Sequence, residues 1–83
     1  MTVARVYVDA DEGQIAPDLD AAVAAHPSVK IGSYPRFSEQ DFRVLVTLEG
    51  RDPAEVAAAL ALVVARIGTR VVRTESPLPS APG

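Results

Sequence analysis

Three sets of residues in this 83-residue chain carry groups able to do chemistry. Asp9, Asp11 and Glu12 place three carboxylates in one short stretch, and hard cations such as Mg²⁺ and Ca²⁺ prefer oxygen ligands. The calcium-loop pattern with its closing glutamate is absent, however, and the same residues suit a solvated turn. His26, the only histidine, is the natural acid or base near neutral pH. No nucleophile or carboxylate stands at a fixed sequence distance beside it, and its place at the end of a helical segment suits a cap favoured by the helix dipole. The third set is basic and aromatic: Arg5, Tyr7, Lys30, Tyr34, Arg36 and Arg43 are the candidate residues for an anionic ligand or for the acidic surface of a partner. None of these sets completes a catalytic constellation, so the residues by themselves describe a small α+β domain without catalytic or metal-ligating residues.

Composition narrows the function classes further. There is no cysteine, which excludes a disulfide framework and thiolate chemistry, and one histidine without cysteine leaves no transition-metal cluster. No cofactor is implied. A reducing cytoplasm is the expected compartment. The first residues lack the basic start and apolar run of a leader, and no segment approaches the roughly 18 apolar residues of a membrane span. A formal charge of −3 and a pI near 4.9 oppose general binding to a phosphate backbone. Gly13 has no partner for a Gly-x-x-Gly clamp, and an RNA-stacking platform needs aromatics on both central strands, where the pattern supplies only Tyr7. No nucleic acid is expected as a partner.

Elements must position these groups, and their periodicities are legible. In Val29 to Gly50 the alternation is cleanest: Phe42, Val44, Val46 and Leu48 fall on one side of an extended strand, Arg43, Leu45, Thr47 and Glu49 on the other. The preceding run Val29 to Tyr34 stops at Pro35, which donates nothing to a ladder and suits an edge. Thr2 to Val8 alternates in the same way. Ile15, Leu19, Ala22, Val23 and His26 recur at helical spacing, and Pro17, read as a first-turn residue, predicts a helix from about Ala16 to His26. Asp52 reads as an N-cap, with Pro53 at the first helical position and Glu55 spaced for a capping box; Val56, Leu60, Val63 and Ile67 form the apolar stripe that follows, and Gly68 ends it. Thr69 to Thr74 predicts a last strand.

The order strand, helix, strand, strand, helix, strand predicts an α+β, ferredoxin-like split βαβ fold (βαββαβ) with a four-stranded antiparallel or mixed sheet and two helices on one face. The first and third strands take the centre. Residues 1–75 form the single domain, and 76–83, with Pro77, Pro79 and Pro82, read as a flexible tail. If Ala4, Val6, Val8, Phe42, Val44 and Val46 face the helices, then Arg5, Tyr7, Lys30, Tyr34 and Arg43 share the uncovered face. That face binds an anion or partner, or is a solvated sheet covered by the stems of its long side chains. A small Ala- and Val-rich core also favours association, through this face around Tyr7 and Leu45 or through the edge strand from Val29 to Tyr34. Repulsion between Arg5, Arg43 and their copies argues for a partner domain and only a weak homo-oligomer.

At Lys30 to Phe37, KIGSYPRF, and Phe42 to Pro53, FRVLVTLEGRDP, the chain resembles a known family. Glu12-Gly13-Gln14-Ile15 at the start of the first helix and His26-Pro27-Ser28-Val29 before the second strand add to the likeness, which covers about Thr2 to Thr74. The family is that of the small α+β, KH-like subdomain following the molybdopterin-binding-like domain in competence/damage-inducible protein A (CinA) and FAD-synthase-related proteins. The resemblance implies association with hydrolysis of dinucleotide pyrophosphates such as ADP-ribose or FAD. That chemistry belongs to the larger preceding domain, whose Gly-rich and acidic nucleotide-binding motifs this chain lacks. The implied role is therefore an accessory module beside a CinA-type catalytic domain, in cis or in trans. The residue-level alternative is a small-ligand domain holding a phosphate-bearing nucleotide or pterin on the open sheet face.

Overall fold

A computed structural model describes residues 1–35 and 41–75. Its elements are β1 (Thr2–Val8), α1 (Glu12–Ala25), β2 (Lys30–Pro35), β3 (Val44–Gly50), α2 (Pro53–Ile67), a 3₁₀ turn (Gly68–Arg70) and β4 (Val71–Glu75). The strands form one antiparallel sheet in the order β2-β3-β1-β4, the expected ferredoxin-like arrangement with β1 and β3 at the centre. Arg36 and the expected tail at 76–83 lie outside the described residues.

Helix α1 begins at Glu12 rather than near Ala16. The Asp11 amide donates to Gln14 Oε1 at 2.9 Å and the Gln14 amide to the Asp11 carbonyl at 2.9 Å, which satisfies two groups at the helix start and nucleates it upstream of Pro17. Pro17 thus lies inside the helix. Its missing amide leaves the Gly13 carbonyl without a helical donor, which is tolerable because both residues are exposed to water. Helix α2 starts at its predicted cap, where Asp52 accepts from the Ala54 amide at 3.0 Å and Pro53 occupies the first turn, but Glu55 does not close the expected capping box and meets His26 instead. Gly68, at φ 70°, ends it in a backbone conformation that disfavours any residue with a Cβ.

The core lies between the helices and one sheet face. It comprises Ala4, Val6 and Val8 of β1, Val44, Val46 and Leu48 of β3, Ile15, Leu19 and Ala22 of α1, and Val56, Ala59 and Val63 of α2, with Ala10 and Val29. Leu60 and Ile67 of the expected stripe are only partly buried against it, while Ala59 is fully enclosed. Val23, expected on the buried side of α1, is 44% exposed. No aromatic ring belongs to this core among the described residues.

Candidate functional site

The sheet face opposite the helices gathers the candidate residues, and the strand register sets them in rows. One row runs Tyr34, Leu45, Tyr7, Arg73 across β2, β3, β1 and β4; the next runs Gly32, Thr47, Arg5, Glu75; a third sets Lys30 and Val3 on either side of Glu49. Tyr34 lies back over the sheet: a Cβ built on Gly32 would stand 3.2 Å from the Tyr34 hydroxyl, so the glycine leaves room for the ring.

Two backbone irregularities decide who joins this face. Strand β3 starts only at Val44, so the alternation expected from Phe42 onward fails over residues 41–43, which form a bend. Phe42 therefore packs its ring edge-on against Tyr7, with centroids 4.8 Å apart at 78°, instead of joining Val44 and Val46 in the core. Arg43, expected on the open face, turns to the β1–α1 connection, where its guanidinium meets Asp9 at 3.5 Å and Asp11 at 3.3 Å. The second irregularity is a register shift in β4. Val8 pairs with Val71 but Tyr7 with Arg73, so Val72 is an extra residue and Arg73 and Glu75 move to the open face.

The result is a compact aromatic and ionic cluster. The Arg73 guanidinium lies over the Tyr7 ring at 4.2 Å and within 5.6 Å of the Phe42 centroid, while its Nη1 donates to Asp41 at 2.7 Å. Tyr7 donates its hydroxyl to Glu75 Oε1 at 2.7 Å, and Arg5 donates to the same oxygen at 3.3 Å. That hydrogen bond, helped by partial desolvation, raises the Tyr7 pKa; the same bond lowers that of Glu75 against the opposing effect of desolvation.

Sequence reasoning missed Phe42, Arg73, Glu75 and Asp41 as members of this cluster. For Phe42 the signal was present in Asp41 and Arg43, polar neighbours compatible with a bend; for Arg73 and Glu75 parity itself misleads, because the extra Val72 reverses it. The stacking surface of Tyr7 is taken by Arg73, and Phe42 is only 7% exposed, so the aromatic pair does not offer free faces to bases.

The remaining candidates point elsewhere. Asp9 and Asp11 engage Arg43, and Glu12 accepts from the Ser33 hydroxyl at 2.6 Å, so these carboxylates diverge. Among the described residues no group of three or more His, Cys, Asp or Glu is placed to hold a metal ion. His26 caps α1 through its backbone, its amide donating to the Ala22 carbonyl at 2.9 Å, but its ring crosses to α2, with Nδ1 2.6 Å from Glu55 Oε2. Glu55 thus ties the helices together. At the other end of the sheet a cleft of about 300 Å³ is lined by residues including Val29, Lys30, Glu49, Arg51 and Glu55, whose charges are of both signs. Among the described residues no helix is long and apolar enough to cross a membrane.

Comparison with known proteins gives this arrangement a family. No curated protein matches the chain. Among solved structures, the crystal structure of PH0061 superposes with a TM-score of 0.51 at 13% identity over 99% of this chain, which spans about half of that one (54%). At that identity the likeness supports the fold. Residues 1–76 match the family model described as FAD synthase, middle domain, and with nearly its whole length inside that match the chain belongs to the FAD synthase middle-domain family.

Proposed function

We propose that this chain is a non-catalytic accessory module that packs beside a CinA-type catalytic domain, in the same polypeptide or in a separate one. The observation that carries this reading is the family match over residues 1–76 to a domain described as the middle of FAD synthase, a description that places other parts on either side of it in that protein. The side-chain geometry is consistent: Asp9, Asp11, Glu12 and His26 are each engaged by a structural partner and do not converge on a substrate-sized space. The alternative of an anion held on the open face draws less support, since Arg5 and Arg73 there each already meet a carboxylate.

The test pairs an activity assay with a binding assay. The purified chain, supplied with Mg²⁺ or Mn²⁺, is expected to leave ADP-ribose and FAD intact and to bind a CinA-type catalytic domain from the same genome in a calorimetric titration. Turnover that disappears in Asp9→Asn and Asp11→Asn variants overturns the reading, and so does the absence of any heat of binding.

A further inference from the structure

The aromatic residues among those described lie on the sheet face that the helices leave uncovered. Tyr7, Tyr34 and Phe42 are the aromatics among the described residues, and all three sit on the face away from the helices, while the core is built of Val, Ala, Leu and Ile. Large rings carry the greatest apolar area a chain has to bury, and they and Arg are the residues that protein interfaces concentrate. Phe42 is already 7% exposed and Tyr7 lies under Arg73, so the apolar surface left for a partner to cover is that of Tyr34, 54% exposed, with half-buried Leu45 beside it. We infer that the open sheet face, centred on Leu45 between Tyr34 and Tyr7, is the interface of a two-fold homodimer in which two copies stack sheet against sheet.

Charge and shape select a second copy as the occupant. Among the described residues the face carries Arg5, Arg73 and Lys30 against Glu75, Asp41 and Glu49, three cations that balance three carboxylates on a chain whose formal charge is −3. The helix face, by contrast, carries Glu12, Asp18, Asp20 and Glu55 against Arg66, so a two-fold contact there brings acidic excess against acidic excess. The repulsion expected from a paired Arg5 and Arg43 is absent, because Arg43 lies at the β1–α1 connection and Arg5 is held by Glu75. Arg5 and Arg73 lie beside the apolar centre with their carboxylates already in place, so stacking strands no unpaired guanidinium. The molecule measures 34 × 30 × 18 Å, and a broad face of that size accommodates the ~800 Å² per partner of a standard interface. The contact itself does not depend on the accessory-module reading. Where that reading holds, the module pairs two copies of the chain that carries the catalytic domain.

Sedimentation equilibrium of the chain at about 100 μM, at both low and high salt, reads the prediction directly. A dimer is expected whose dissociation constant changes little between about 50 mM and 500 mM NaCl, as befits a neutral face. Leu45→Glu and Tyr34→Glu are each expected to raise that constant at least about tenfold, whereas Val23→Glu, on the exposed side of α1, leaves it unchanged. Tyr34 is 54% exposed, so its variant keeps the test alive should Leu45→Glu fail to fold by circular dichroism. A monomer at this concentration overturns the inference, and so does a dimer that survives both substitutions. A monomer whose Leu45→Glu variant loses affinity for the catalytic domain assigns the face to that partner and defeats the dimer alone; a dimer without such affinity defeats the accessory reading alone.

Discussion

The two faces of one sheet are built on opposite plans. Facing the helices, Ala4, Val6, Val8, Val44, Val46 and Leu48 are fully or almost fully enclosed, and among the described residues no buried polar or charged residue interrupts them. Facing away, Phe42 meets the Tyr7 ring edge-on, Arg73 covers that ring, and the Tyr7 hydroxyl and the Arg73 guanidinium donate to Glu75 and Asp41 respectively. The first plan is non-directional: it rewards removal of aliphatic area from water and is satisfied by any well-packed set of the right volume. The second depends on geometry, since a ring edge, a guanidinium plane and a carboxylate must each be presented at the right angle. One strand therefore supplies the aliphatic core through every second residue and the polar and aromatic face through the others.

Truncation on each face separates these roles most strongly. Leu48→Ala removes the largest fully buried side chain and is expected to cost about 3 kcal/mol in urea unfolding, whereas Leu45→Ala, half-buried on the open face, costs about 1 kcal/mol. Equal losses at the two positions would erase the distinction between the faces. Phe42→Ala sharpens it. The ring is 7% exposed yet touches Tyr7, so about 3 kcal/mol is expected, with the NMR signals of Tyr7 and Arg73 displaced and the methyl groups of Val46 and Leu48 left in place. Displaced core methyls with an unchanged Tyr7 would return Phe42 to the helix side.

The smallest effect is a pH dependence on the open face. Glu75 has a lowered pKa in the folded chain, so its contribution is complete above the unfolded value near 4.5 and is lost as pH falls through the lower folded value. Tyr7 has a raised pKa, so the contribution of its protonated hydroxyl is complete below an unfolded value near 10 and is lost as pH rises through the higher folded value. Between those limits the pair is insensitive to pH. Glu75→Gln is expected to bring the ring titration of Tyr7, followed by NMR, back towards its ordinary position; superimposable titrations in the two proteins would show that the hydrogen bond is not its cause.

The regular parts of this architecture were legible because they follow a period. Asp52, Pro53 and Gly68 mark the limits of α2 through the unpaired groups that every helix end leaves, and the alternation of Val44, Val46 and Leu48 marks the buried side of β3. The spacing predicts too short a helix α1, because Pro17 suits a first turn while Gln14 caps the chain upstream of it. Of the candidate residues, Arg5, Tyr7, Lys30 and Tyr34 share the face that their parity indicates, and Arg43 does not.

By itself, then, the sequence determined the order of elements, the aliphatic character of one sheet face and the central place of β1 and β3, all of which are local periodicities combined with the short list of allowed topologies. Only the tertiary structure decided what the other face holds. A bend before Val44 turned Phe42 onto Tyr7 and Arg43 away, and an extra residue at Val72 carried Arg73 and Glu75 across to join them. Each is a one-residue departure from period two, and a one-residue slip sends a side chain to the opposite face of the sheet. Its location depends on which partner strand is present and where pairing begins, which is fixed by the assembled sheet and not by the residues on either side.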